Sequence, residues 1–204
     1  MKKRTISLLM LMVMLLTVLT GCSGGKEESS ASLNTVLLLP YVFEEKANAL
    51  EQELISALPQ LNTENAKMKL TYISAGDPEK DPYSTMAAVT QMGGMMAGKE
   101  VELLICDKEN ARRYAENGEA YMPLSQLFTE AEVAELGLTP ACVEISDDEG
   151  NLTGQMSEAC GVDLSGCTAL EEMLMQKDLG AYVIVNSANV EHAKAVIKHL
   201  ASMK

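Results

Sequence analysis

The chain has 204 residues, of which 29 are acidic and 16 are basic, and its formal net charge at pH 7 is −13. This acidity argues against nucleic acid as a partner, because the phosphate backbone repels a negatively charged surface. The lack of Trp and the presence of only two Phe leave few flat aromatic rings for stacking on sugars. The length suffices for one domain with its own core.

The first 21 residues have the pattern of a secretion signal. Lys2, Lys3 and Arg4 precede an apolar run over residues 6–19, which is the order of charged and apolar regions found in export signals. Because this run is shorter than the roughly 20 residues needed to cross a bilayer, a permanent transmembrane helix is the weaker interpretation.

The signal ends in Leu19-Thr20-Gly21-Cys22, which resembles the lipobox of bacterial lipoproteins. The resemblance implies that the Cys22 thiol carries a diacylglyceryl group and that cleavage makes Cys22 the first residue. Membrane lipid is then the partner of Cys22, and the protein is lipid-anchored on the extracytoplasmic face of the cell membrane. The alternative is an ordinary signal peptide with an incidental cysteine.

Residues 22–33 are predicted to form the lipidated cysteine and a flexible tether, because Gly and Ser surround a short charged run without apolar periodicity. Residues 34–204 are then the folded domain. Without the signal, 13 basic residues remain against 29 acidic ones, a formal net charge of −16. We therefore expect the acyl group, and not attraction to anionic lipid, to hold the protein at the membrane.

Short apolar runs alternate with amphipathic segments along the first half of the domain. Residues 35–39 are almost all apolar and stop at Pro40, which is typical of a strand buried on both faces. Over residues 44–58 the apolar side chains recur at helical spacing, and Pro59 ends the pattern. Further strands are predicted over residues 69–74 and 101–106, and further helices over residues 85–96 and 109–117.

The helix predicted over residues 85–96 carries Met86, Met92, Met95 and Met96. Thioethers bind soft metal ions such as Cu(I), so a metal site is one interpretation of this cluster. The spacing favours the other interpretation, a helix whose methionines face the core and fill irregular gaps.

The second half of the domain ends in a further strand and helix. Residues 147–151 are polar and predict a turn or the tip of a hairpin, residues 181–185 predict a strand, and residues 190–201 predict a helix. The buried face of that helix is predicted to consist of Ala193, Val196, Ile197 and Leu200. The repeated alternation of strand and helix predicts an α/β fold, a three-layer open sheet that is mostly parallel with helices on both faces.

Four cysteines follow Cys22 in the chain: Cys106, Cys142, Cys160 and Cys167. Export permits disulfides, and Cys160 with Cys167 is the only close pair, so this pair is the candidate bridge. Free thiols are the alternative. The six-residue separation does not fit a structural zinc site, for which two to four intervening residues are usual.

Three stretches resemble extracellular solute-binding proteins, the lipoprotein receptors of ABC importers. They are MAGKEVELLICD at residues 96–107, YAENGEAYMPLSQL at residues 114–127 and AYVIVNSANVEHA at residues 181–193. The resemblance implies a lobe like that of type 2 periplasmic-binding proteins, a small polar solute as ligand and an ABC permease as partner. Two-lobed members are longer, and only residues 130–180 lie where the second lobe belongs, which implies a reduced or missing second lobe.

In open parallel sheets, ligands bind in the loops that follow the carboxyl ends of the strands. These loops contain the candidate ligand-binding residues, which are Tyr41, Ser74, Asp77, Asp107 and Asn110. Their carboxylates, amide and ring suit a polar or cationic small ligand. The alternative is that the two aspartates cap helices and order loops.

The sequence gives little support for catalysis or for a bound cofactor. His192 and His199 lie seven residues apart on the last predicted helix, and the motifs of nucleophile elbows and phosphate loops do not occur. Two functions remain, neither of them enzymatic. The first is an anchored receptor for a small solute, and the second is a lipid-anchored interaction module that uses its acidic surface for a protein partner.

Overall fold

A computed structural model describes residues 32–64, 66–147 and 149–204. The signal, the lipobox with Cys22 and most of the tether lie outside these residues, so the predictions made for them stay predictions. The described residues belong to one compact unit. Among them, no helix is long and apolar enough to cross a membrane.

Within the described residues the chain forms eight strands. They are β1 (Asn34–Leu39), β2 (Lys69–Ser74), β3 (Leu103–Asp107), β4 (Thr139–Ala141), β5 (Glu144–Ser146), β6 (Leu152–Met156), β7 (Gly161–Asp163) and β8 (Leu179–Val183). Strands β5 and β6 form a separate antiparallel hairpin, and the turn predicted over residues 147–151 joins them. The other six strands make the central sheet.

Seven α-helices occur in the same described residues. They are α1 (Glu44–Ala57), α2 (Pro82–Ala97), α3 (Lys108–Arg113), α4 (Leu124–Leu127), α5 (Glu130–Leu136), α6 (Thr168–Leu174) and α7 (Val190–Ser202). Two short 3-10 helices also occur, Pro59–Leu61 after α1 and Glu116–Gly118 after α3.

The central sheet has the strand order β2-β1-β3-β8-β7-β4. Strand β1 pairs in parallel with both β2 and β3, whereas β8 is antiparallel to β3, β7 to β8 and β4 to β7. Four of the six strands, β1, β2, β3 and β7, thus run in one direction. The prediction of a mostly parallel α/β sheet is confirmed at this level, but the last predicted strand runs against its neighbours.

Helices cover both faces of the sheet, as predicted, and each face has its own core. Leu37 and Leu39 of β1 pack into the core under α1, α6 and α7, whereas Val36 and Leu38 pack into the core under α2 and α3. Strand β1 is therefore buried on both sides, as its continuous apolar run predicted.

The thiols of Cys160 and Cys167 are both free. Cys160 belongs to the core under α2 and α3, and Cys167 belongs to the core under α1, α6 and α7. The sheet separates these two cores, so the expected disulfide does not form, although the two cysteines are close in sequence.

The folded unit begins slightly before residue 34, where the sequence placed its boundary. Leu33 is fully buried, its carbonyl accepts a hydrogen bond from the N–H of Lys69 at 2.9 Å, and the Ser32 carbonyl accepts one from Asn189 Nδ2 at 3.0 Å. The tether therefore joins the domain at the edge of the sheet where β1 starts.

Glu102 stabilises the edge of the sheet where β1 starts. The sequence did not indicate this role. Its buried carboxylate accepts hydrogen bonds from the N–H groups of Asn34, Ala188 and Asn189 at 3.0–3.2 Å, and from Asn189 Nδ2 at 2.8 Å. The start of β1, the start of β3 and the start of α7 are thus held on one side chain.

Candidate functional site

The loops that follow β1 and β2 lie side by side at one edge of the sheet, called here the carboxyl edge because β1, β2 and β3 all end there. The Gly76 N–H donates to the Pro40 carbonyl at 3.0 Å, and Ser74 Oγ accepts from the Val42 N–H at 3.0 Å. Tyr41 is exposed on this edge. The Ser74 hydroxyl, by contrast, already accepts the hydrogen bond that links the two loops.

Asp77 also lies on the carboxyl edge, where its carboxylate orders its own loop. It accepts hydrogen bonds from the N–H groups of Glu79 and Lys80 and forms an ion pair with the Lys80 ammonium. The bond from Lys80, followed by the backbone N–H of Glu79, holds the pKa of Asp77 below its usual value. The charge of Asp77 is thus already compensated within its own turn.

Asp107 ends β3 and caps α3. One carboxylate oxygen accepts from the N–H groups of Glu109 and Asn110, both at 3.0 Å, and the other accepts from Asn110 Nδ2 at 2.7 Å. Asp107 is buried, and Asn110 is only 4% exposed. Asn110 Oδ1 has no hydrogen-bond partner among the described residues, whereas Nδ2 donates to Asp107 and both oxygens of the Asp107 carboxylate accept hydrogen bonds.

Three further charged residues reach this edge: Lys108, which lies in the segment after β3 that the sequence proposed for a ligand, and two aspartates that the sequence did not indicate. Strand β7 ends at Asp163, and β8 begins just after Asp178. The Lys108 ammonium lies 3.5 Å from Asp163 and 4.0 Å from Asp178. Asp163 is the last residue of a strand of only three residues, which is too short to give a periodic signal.

The residues that the sequence proposed for a ligand therefore lie together at the carboxyl edge. Most of their polar groups, however, already form hydrogen bonds or ion pairs with other residues of the protein. Asp77 is paired with Lys80, Asp107 caps a helix, and Lys108 lies between two carboxylates. A solute at this edge would find the exposed Tyr41 ring and few uncommitted polar groups.

A different surface is exposed on α2. Helix α2 contains no charged residue in its 16 positions, yet only Ala88 and Met92 are buried. Tyr83 is 85% exposed, Met86 is 68% exposed and Val89 is 40% exposed. The prediction that the methionines face the core is right for Met92 and wrong for Met86, while Met95 and Met96 pack partly buried against the same core. Without charged residues, the sequence does not mark the outer side of this helix, and only one side can meet the sheet.

The exposed side of α2 extends into the second half of the helix, where no neighbouring residue of the described chain covers it. A Cβ atom added at Gly93 or Gly94 would meet nothing within 4 Å. Gly93 and Ala97 then border a groove that reaches Tyr114 and the exposed Val185. We call the exposed side chains Tyr83, Met86 and Val89, together with Gly93 and Ala97, the α2 face.

Comparison of the chain with protein-family models, with curated proteins and with solved structures finds no match. The resemblance of three stretches to solute-binding proteins therefore stays a prediction.

The two surfaces suit different chemistry. Within the described residues, no group of three or more His, Cys, Asp or Glu side chains is arranged to hold a metal ion. The carboxyl edge offers compensated charges. The α2 face offers uncharged apolar area on a very acidic chain, which is the kind of surface that partner proteins cover.

Proposed function

We propose that this chain is a lipid-anchored extracytoplasmic interaction module that binds a protein partner on its α2 face. The observation that carries the proposal is the exposure of Tyr83, Met86 and Val89 on a helix without a single charge. The lipobox resemblance at Cys22 supports the anchored location.

Apolar exposure on α2 carries a free-energy cost that a partner would remove. Covering a large apolar side chain stabilises a complex by about 25 cal/mol for each Å² taken out of water. Exposed aromatic and methionine side chains are also the residue types enriched at the centres of protein interfaces. Tyr83 and Met86, the two most exposed of the three, are of these types.

The charges around α2 indicate the chemistry of the partner. Acidic Glu79 and Asp81 precede the helix, and Lys99 and Glu100, whose charges offset each other, follow it. Lys80 is paired with Asp77, so the surroundings of the α2 face are net acidic. The occupant that fits is a protein with an uncharged apolar patch bordered by Lys or Arg, whereas a second copy of this acidic chain would be repelled.

The solute-receptor alternative has less support. It relied on free carboxylates at the carboxyl edge, and Asp77 and Asp107 are engaged by their own loops. It also relied on a second lobe, and within residues 130–180 strands β4 and β7 extend the central sheet. An anchored relative of such receptors that kept the α/β fold and lost the cleft remains consistent with the interaction module.

Photocrosslinking in the source bacterium tests the α2 face. A photoreactive side chain at Val89 should give an adduct of one defined mass, and the same side chain at the exposed Ala49 of α1 should not. Met86→Glu should abolish the Val89 adduct by placing a charge in the apolar contact, whereas Gln52→Glu on α1 should leave it unchanged. In isolated membranes, the yield should fall as salt screens the basic rim of the partner.

Several outcomes would contradict the proposal. They are equal adducts at Val89 and Ala49, an adduct that survives Met86→Glu, and adducts only with lipid or with a second copy of the chain.

A further inference from the structure

A cavity of about 630 Å³ lies between α4, α5 and β4. None of its lining residues belongs to α2 or to the loops of the carboxyl edge. The cavity is open to solvent, and its volume falls within the range of about 300–1,000 Å³ typical of clefts that bind small molecules. The cavity is thus a separate candidate site.

The walls of the cavity are mostly apolar. Its most deeply buried lining residues are Leu124, Phe128 and Leu138, and Val133 and Ala134 of α5 form one side. None of these side chains needs a hydrogen-bond partner. An apolar body that displaces water from them is favoured by the hydrophobic effect.

Helix α5 gives an independent indication that something is missing from its inner side. None of its seven residues is buried, although an amphipathic helix normally buries its apolar side against a core. Val133 is only partly buried against the core, and it lines the cavity together with the exposed Ala134.

Hydrogen bonds at its ends hold α5 in this position. Thr129 and Glu132 form a reciprocal capping box, and Glu132 Oε1 accepts from Lys198 Nζ of α7 at 3.3 Å. Gly137 ends the helix with a φ of 60°. The bond to Lys198 therefore fixes the N-terminal end of α5 beside the gap, and an occupant would complete the burial of the helix.

The rim of the cavity carries negative charge. Glu130 and Glu158 are lining residues, and no Lys, Arg or His is among the described residues that line the cavity. Neither carboxylate takes part in an ion pair within the described part of the chain. Three ammonium groups also lie near the cavity: Lys194 and Lys198 Nζ are 5.5 and 5.6 Å from the centre of the Phe128 ring, and Lys204 Nζ lies beside Gly137. Lys194 and Lys198 already contact Glu191 and Glu132. A positively charged group at the rim would therefore meet two carboxylates with which no ammonium of the described residues pairs.

We propose that this cavity binds a small organic cation with an apolar body. The apolar body covers Phe128, Val133 and Ala134, and the cationic group lies at the rim between Glu130 and Glu158. This binding site is separate from the α2 face, so either proposal can fail without the other.

The test compares three probes with the same body and different head groups: heptylamine, heptanol and heptanoate. The full chain is placed in phosphatidylcholine nanodiscs, and binding is measured by calorimetry against empty nanodiscs, which correct for partition into lipid. Heptylamine should bind about tenfold more tightly than heptanol, the size expected for one charge-assisted contact, and heptanoate should bind most weakly. Equal binding of all three probes, or binding of none, would overturn the proposal.

Matched variants locate the site. Ala134→Phe fills the cavity and should abolish binding of both heptylamine and heptanol, whereas Ala131→Phe, an exposed position on the same helix outside the lining, should leave both unchanged. Glu130→Gln with Glu158→Gln should remove the preference for the amine and keep heptanol binding, and Glu172→Gln on α6 serves as the charge control. Binding that persists in Ala134→Phe, or an amine preference that survives the double substitution, would show that the cavity is not the site.

Discussion

Two aspartates at the carboxyl edge of the sheet look alike in the sequence but serve different purposes. Each follows a strand and precedes a helix or turn, so each is equally suited to contact a ligand or to cap the backbone. Burial decides between these roles. Asp77 is accessible and paired with Lys80, whereas Asp107 is buried and shares a hydrogen-bond network with the buried Asn110.

Asp107→Ala is expected to destabilise the protein. It removes the cap of α3, worth about 0.5–2 kcal/mol, and leaves the buried Asn110 amide without its partner, at a cost of about 1–3 kcal/mol. Denaturant unfolding should therefore report a free energy of unfolding lower by about 2 kcal/mol or more. Asp107→Asn, which keeps a capping oxygen, should lose less, and Asp77→Ala should unfold near the parent midpoint. A parent-like midpoint for Asp107→Ala would mean that its carboxylate is available to a ligand after all.

At the scale of elements, the sequence predicts best where one residue pattern has one structural solution. All four side chains predicted for the buried face of α7 are buried: Ala193, Val196, Ile197 and Leu200. Strands β1 and β2 match their predicted limits to within one residue. The strands β4 and β7 were missed because three residues carry no period. Helix α2 was predicted, but its exposed side was not, because a helix without charged residues does not clearly indicate which side meets the sheet.

The capping box of α5 makes a prediction about pH. The Thr129 N–H and then the Lys198 ammonium stabilise the charged form of Glu132 and lower its pKa from 4.5 to about 2. A carboxyl with a depressed folded-state pKa stabilises the protein fully above its unfolded-state pKa and loses this contribution as the pH falls through the folded-state value. Glu132→Gln should therefore melt at a lower temperature than the parent at pH 7, and the gap should close between pH 4.5 and about 2.

Glu135→Gln, on the exposed side of the same helix, is the matched control and should follow the parent at every pH. Thermal melting by circular dichroism across this pH range provides the measurement. A gap between Glu132→Gln and the parent that stays constant down to pH 2 would mean that the ionised carboxylate adds no stability to the helix.

At the scale of the whole molecule, the pairing of distant segments was the least predictable feature. Strand β8 pairs with β3 across a sequence separation of about 80 residues, with Leu103 opposite Val183. Local apolar patterns predict that both segments are strands, but they do not encode the direction of the pairing. For the same reason the sequence placed residues 130–180 where a second lobe would be, whereas β4 and β7 lie in the central sheet. Shared placement of the candidate site residues at one edge was predictable, because it needed only parallel β1, β2 and β3.

The position of the first described residues relates the folded domain to its predicted anchor. Ser32 is held at the edge where β1 starts, ten residues after Cys22. A fully extended chain of ten residues reaches at most about 35 Å, so the anchor would keep the domain close to the bilayer. The formal charge of −16 without the signal disfavours adhesion to anionic lipid.

Cys22→Ala should therefore release the protein from the membrane completely, because acyl chains would be the only favourable membrane contact and each buried CH₂ contributes about 0.8 kcal/mol. Fractionation of cells with radiolabelled fatty acid should show the parent labelled in the membrane fraction and the variant unlabelled outside it. Cys142→Ala is the matched control, because Cys142 is the exposed cysteine of the domain, and it should stay labelled and membrane-bound. If Cys22→Ala keeps the label, the lipobox interpretation is wrong. If Cys22→Ala loses the label but stays in the membrane fraction at high salt, the domain binds the membrane or a membrane protein through its own surface. Photocrosslinking from Val89 would then identify whether the α2 face makes that contact.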